Sequence, residues 1–311
     1  MNLATWIEKI RQGDPLALSR ALTEVENRGQ RANELLRALF PFSGKARRLG
    51  VTGAPGAGKS TLVNRLAAHL RNRDRRVAII AVDPTSPFTG GSILGDRVRM
   101  QSHHADAGVF IRSMAARGSL GGLAPATADL MLVLEAAGFD NVIIETVGVG
   151  QAEIDVAQLA QVVTLVLTPS MGDDVQALKA GIMEIADIFV INKADLPGAD
   201  RLQTELEGLL SLTPAEDPPP ILRTVGTGGA GIEEWAKAIE SRPARGKNDI
   251  LYWEQRLYQM IRERVMRHLV RSALPEGELR RLAELIAERR ENPYEVAETI
   301  ASRLAPQGIG A

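Results

Sequence analysis

Gly53-Ala54-Pro55-Gly56-Ala57-Gly58-Lys59-Ser60 is the segment of this chain whose residue types and spacing most plainly imply chemistry. The pattern G-x-x-x-x-G-K-S follows a β-rich run and opens a helical one. Glycines let such a loop bend until its backbone N–H groups ring a phosphate, and the helix N-terminus adds partial positive charge. The Lys59 ammonium would reach the β- and γ-phosphates of a nucleotide, and the Ser60 hydroxyl would hold Mg2+. A second segment, Asn192-Lys193-Ala194-Asp195, reads as a base-selecting motif. The Asp195 carboxylate can accept both the ring N–H and the exocyclic amine of guanine. Adenine lacks that donor pair and would leave the carboxylate desolvated and unmatched. The run RTVGTGG, 223–229, stands where a second guanine-contacting loop belongs.

The metal side is less usual. Glu145-Thr146-Val147-Gly148 ends the run NVIIE, where GTPases generally carry Asp-x-x-Gly; the acid serves Mg2+ and the Gly148 amide the γ-phosphate. Asp83 ends the run VAIIAV, and Asp96 follows the glycine-rich stretch TGGSILGD. Mg2+ is small and hard, prefers oxygen and keeps waters, so Ser60, Asp83, Asp96 and Glu145 form the expected metal set. Val149 occupies the position at which many small GTPases place a water-orienting Gln, which predicts slow intrinsic turnover. Gln151, Gln176 and Lys179 are the candidates to supply that help, and Lys59, Glu145, Gln176 and Lys179 form the expected catalytic set. His103 and His104 are adjacent, so on a helix they point apart and do not make a ligand pair.

Elements must carry these residues to one place. From Leu49 onward, short apolar runs (49–53, 77–82, 109–113, 141–146, 162–167, 188–192 and 221–225) alternate with amphipathic stretches near 60–71, 124–138, 175–186 and 200–211. That alternation predicts an α/β fold of the P-loop NTPase type: a mostly parallel sheet with helices on both faces. Ligands on such sheets sit beyond the carboxyl ends of the strands, where every motif above falls. Residues 2–40 read as helical and 41–48 as a linker; a second linker spans 241–249. Beyond it lie a long apolar stripe (Ile250, Trp253, Leu257, Ile261, Val265, Leu269), fit for packing or an oligomer interface, and two further helices near 277–290 and 293–304. The expected organisation is a helical extension at 1–45, a P-loop domain at 46–243 and a helical region at 244–311.

Composition narrows the function classes. Lys+Arg is 37 against Asp+Glu 38, which lacks the basic footprint of a nucleic-acid binder, and aromatics are only 4%. With no Cys there is no disulfide, thiolate metal site or Cys nucleophile. No apolar run approaches a membrane span, and the N-terminal segment lacks the pattern of a signal peptide, so a cytoplasmic protein is expected.

Four blocks together, GVTGAPGAGKSTLVNRLA, VDPTSPFTGGSILGDRVRM, ETVGVGQAEIDV and GDDVQALKAGIMEIADIFVINKAD, strongly resemble the methylmalonyl-CoA mutase-associated GTPases of the MeaB/ArgK type. The helical N-terminal part and the NPYEVAE tail also fit. The resemblance implies a Mg2+-dependent GTPase with GTP and GDP as substrate and product. Such a protein is usually homodimeric through its C-terminal part. It gates cofactor loading and protects or reactivates an adenosylcobalamin-dependent acyl-CoA mutase. Carried over by position, Lys59, Ser60 and Thr61 match the phosphate loop; Asp83, Asp96 and Glu145 the metal-side acids; and Asn192, Lys193 and Asp195 the guanine motif. Residues 170–179 match a mobile loop coupling nucleotide state to the mutase. A metallochaperone GTPase, which needs a Cys or His cluster, and a GTP-dependent kinase, which needs a phosphoacceptor, are the alternatives.

Overall fold

The computed structural model describes residues 2–84, 106–116, 124–146, 156, 159–171, 185–212, 217–243, 250–275 and 277–304. It forms two compact units, Met1–Asp249 and Ile250–Ala311.

The first unit is built on seven parallel strands: β1 (Arg47–Gly53), β2 (Val77–Pro84), β3 (Val109–Ala116), β4 (Asn141–Thr146), β5 (Val162–Leu167), β6 (Ile188–Asn192) and β7 (Ile221–Thr224), in spatial order β3-β2-β4-β1-β5-β6-β7. β4, β5 and β6 are buried along their whole length. A strand covered on both faces has no reason to alternate with polar residues, so these runs are continuously apolar. Opposite parities still serve opposite faces. Ile80, Val82, Val142 and Ile144 point into one core with α1 (Leu3–Arg11), α2 (Pro15–Glu26), α3 (Ala32–Leu39) and α5 (Ala124–Ala136). Ile79, Ile143, Val51 and Val190 point into the other, beneath α4 (Lys59–Arg71) and α7 (Ile232–Ser241). α6 (Ala199–Ser211) covers Leu165, Leu167, Phe189 and Ile191.

The 2–40 stretch is three helices, because Gln12–Asp14 and Asn27–Arg31 interrupt it. Asp14 caps α2 by accepting the Ala17 N–H at 2.6 Å, with Pro15 in the first turn, and Arg28 takes φ 52° between α2 and α3. The linker expected over 41–48 ends earlier. Arg47 and Arg48 already pair with Asn141 and Val142 as the start of β1. Two arginines disguise a strand in sequence, but here the Arg47 guanidinium donates to the carbonyls of Ile239 and Arg242 at the end of α7.

The second unit contains α8 (Ile250–Ala273), α9 (Glu278–Ala287) and α10 (Pro293–Leu304). α10 begins as its sequence predicts, with the Asn292 side chain accepting the Tyr294 N–H at 3.0 Å. The expected helix over 175–186 falls almost wholly outside the described residues.

Candidate nucleotide site

β1 lies between β4 and β5, so the chain's connections diverge to either side of it. The crevice at its carboxyl end is the topological switch point of the sheet. The loop from Gly53 to Gly58 occupies that crevice. Gly53 runs so close to β5 that a Cβ there would stand 2.2 Å from the Val166 carbonyl oxygen. Gly58 takes φ 90° at the N-cap of α4, and its Cβ would stand 2.3 Å from the Asn192 amide nitrogen. Neither position admits a side chain.

The loop folds around its own lysine. Lys59 is 6% exposed, and its Nζ donates to the Gly53 carbonyl at 2.7 Å and the Ala54 carbonyl at 2.9 Å. The next residue, Ser60, donates its hydroxyl to Glu145 Oε1 at 2.5 Å across the sheet. A cavity of about 420 Å³ opens between them, bordered by Pro55, Gly56, Gly58, Lys59, Ser60, Thr61, Glu145 and Lys193. One wall therefore carries a hydroxyl and a carboxylate, and the other a buried ammonium. The wall beneath is stiffened by a buried bond from Thr146 Oγ1 to Thr52 Oγ1 at 3.0 Å.

The base-side motif is tied to the same loop. Asn192 is 2% exposed; its Nδ2 donates to the Ala57 carbonyl at 2.8 Å, and its Oδ1 accepts from Thr224 Oγ1 and the Gly226 N–H, both at 3.1 Å. Lys193, at φ 55°, reaches back to the Gly56 carbonyl at 3.0 Å. Asp195 follows on the exposed turn, and the Ala194 N–H donates to the Thr224 carbonyl at 3.0 Å. The run 223–229 thus lies directly beside the Asp195 turn, which sequence position alone could only suggest. A crevice with an anion-ringing loop at one end and a carboxylate turn at the other suits a nucleotide laid across the strand ends.

The model of the family described as Methylmalonyl Co-A mutase-associated GTPase MeaB matches residues 18–278. The chain belongs to the MeaB family. A Pyrococcus abyssi protein with a provisional GTPase name is 44% identical, over 97% of each chain. GTPase ArgK of Escherichia coli is 47% identical over 62% of this chain and 60% of its own. The Caenorhabditis elegans methylmalonic aciduria type A homolog, mitochondrial, is 38% identical over 62% of this chain and 52% of its own. Among solved structures, that of an LAO/AO transport system kinase superimposes with a TM-score of 0.65 at 28% identity, covering 98% of this chain and 99% of that one. This MeaB-family protein is a GTPase, and the nucleotide it binds is a guanine nucleotide.

Other expected residues of this MeaB-family site fall outside the description. Gly148, Asp96, Gln151, Gln176 and Lys179 lie outside the described residues, as do His103 and His104. Asp83 is described only in its backbone. It follows Val82, which pairs with Thr146, so it stands at the strand end one step past Glu145-Thr146. One contact had no signal in the sequence. Arg65, two turns into α4, donates its Nε to the Gly226 carbonyl at 3.1 Å and an Nη to the Thr227 carbonyl. An arginine on the exposed side of an amphipathic helix looks like any solvated charge until the loop it meets is known.

Proposed function

We propose that this MeaB-family GTPase works with Mg2+ as a chaperone for an adenosylcobalamin-dependent acyl-CoA mutase of the methylmalonyl-CoA type. It gates loading of the mutase's cofactor and protects or reactivates the enzyme, acting as a homodimer through its C-terminal unit. The match to a mutase-associated GTPase family over residues 18–278 carries the reading. The Caenorhabditis elegans relative, named for methylmalonic aciduria, supports the same partner class.

The geometry supports the assignment of roles. Lys59 neutralises the β- and γ-phosphates, with the backbone of Gly53, Ala54, Pro55, Gly56, Ala57 and Gly58 and the side chains of Ser60 and Thr61 around them. The oxygens of Ser60 and Glu145, already in contact at 2.5 Å, form a donor set that fits a small hard cation. Asp83 and Asp96 complete it directly or through water. Bound there, Mg2+ would offset charge on the phosphate oxygens. Gly148 serves the γ-phosphate. Asn192 and Lys193 brace the phosphate loop, and Asp195 selects guanine. Gln176 and Lys179, three apart and so on one face if a helix runs through them, are the side chains a docked mutase would order to position water and supply positive charge.

Phosphate release, measured for wild type and a Gln176→Ala/Lys179→Ala variant, alone and with saturating mutase, tests this. Basal hydrolysis should stay within roughly tenfold, a barrier change of about 1.4 kcal/mol. Stimulation by the mutase should disappear. Wild-type turnover indifferent to every acyl-CoA mutase tried would remove the chaperone reading. Equal stimulation of the variant would remove the two side chains from it.

A further inference from the structure

We infer that Arg65 is a positioning residue for guanine selection, acting through the loop after β7; this rests on the guanine site proposed above. The loop from Thr224 to Gly229 stands beside the Asp195 turn and is held from three directions. β6 reaches it through Asn192, whose Oδ1 accepts from Thr224 Oγ1 and the Gly226 N–H. Its own turn closes on the Val225 carbonyl, which accepts from Gly228 at 3.0 Å and Gly229 at 2.8 Å. α4, the helix that opens at the phosphate loop, contributes Arg65, whose guanidinium takes the carbonyls of Gly226 and Thr227 together.

The fork geometry gives the contact its consequence. A guanidinium presents its donors in a rigid plane, so two successive carbonyls bound to it are fixed in direction. A planar trans peptide then fixes the N–H on its opposite side. The Gly226–Thr227 and Thr227–Gly228 peptides are those whose carbonyls Arg65 holds. A loop of threonines and glycines has few side-chain contacts of its own, so its backbone direction must be imposed from outside. Close packing does the rest: a Cβ at Gly226 would stand 3.3 Å from both Leu62 and Thr61 on α4. α4 therefore sets the phosphate contacts at its first turn and the base-side loop at its second. Arg65 reaches the loop only from that helix, so it acts on the base half of the site while Lys59 acts on the phosphate half.

That division makes a test. Full-length wild type, Arg65→Ala and Arg65→Lys are titrated, without metal, with GDP, ADP and pyrophosphate. Alanine is the strongest helix former and Arg65 is an exposed helix position, so the variant retains α4. Losing two charge-assisted bonds should weaken GDP about tenfold. Pyrophosphate, which has no base, should bind as in wild type, and in steady state the GTP KM should rise with kcat little changed. Arg65→Lys, able to reach one carbonyl, should recover part of the GDP affinity. Parallel loss of GDP and pyrophosphate binding would show a general structural effect and overturn the inference, as would an unchanged GDP-to-pyrophosphate ratio. A wild type that holds ADP as tightly as GDP would instead overturn the guanine site beneath it.

Discussion

Asn192 joins the two ends of the nucleotide crevice through one buried amide. Its donor faces the Ala57 carbonyl of the phosphate loop, and its acceptor faces Thr224 and the Gly226 N–H of the base-side loop. Asn192→Ala would leave those buried groups unmet, at about 1–3 kcal/mol for each unsatisfied group. Asn192→Asp should be at least as damaging despite its shape, because a carboxylate oxygen would replace the donor opposite the Ala57 carbonyl. Isothermal titration should show both variants losing affinity for GDP and pyrophosphate together, unlike Arg65→Ala. Retained pyrophosphate binding in Asn192→Asp would contradict a brace that serves both halves. Gly58 belongs to the same junction, since the space its Cβ would need is filled by the Asn192 amide.

At the scale of elements, α7 shows how a helix remote from the site holds the strands that carry it. Trp235 is fully buried on the face shared with α4, among Val166, Ile188 and Val190, and its Nε1 donates to Thr164 Oγ1 at 3.1 Å. That bond gives the one polar atom of each side chain a partner in an apolar layer. Trp235→Ala should cost about 3–5 kcal/mol from lost burial and the cavity left behind. Trp235→Phe keeps part of the volume but strands the Thr164 hydroxyl, and should cost about 1–3 kcal/mol. Urea unfolding followed by circular dichroism distinguishes the two. A Trp235→Ala protein within 1 kcal/mol of wild type would mean that α7 is not anchored there.

At the scale of the whole molecule, α8 of the second unit carries exposed apolar side chains. Trp253, Leu257, Ile261 and Val265 are each exposed and four residues apart, a spacing that recurs on one side of a helix, and Tyr258 is exposed beside them. The proposed homodimer would bury this stripe against its symmetry mate. Leu257→Glu with Ile261→Glu would bring four carboxylates into such an interface. Sedimentation velocity should then report a monomer, with basal GTP hydrolysis within a few-fold of wild type because the crevice lies in the first unit. A double variant that sediments as the wild type does would exclude α8 from the interface.

Most of the architecture was legible in the residue pattern. The glycine-rich turn at 53–58 and the seven strands were readable because each depends on near neighbours in the chain: glycines where φ is positive, and apolar runs where both faces are covered. β4, β5 and β6 end where their patterns end. The start of β1 was hidden, because Arg47 satisfies its polarity at the end of α7, nearly 200 residues away, and Arg48 lies 3.8 Å from Glu135 on α5. What crosses the crevice comes from long-range contacts. It set Ser60 against Glu145, turned the Asn192 amide toward Ala57, and laid Arg65 on the loop after β7. Those contacts join residues 85, 135 and 161 positions apart. No local pattern encodes such a meeting, because it is set by strand order, and strand order is set by which helices can bury which faces.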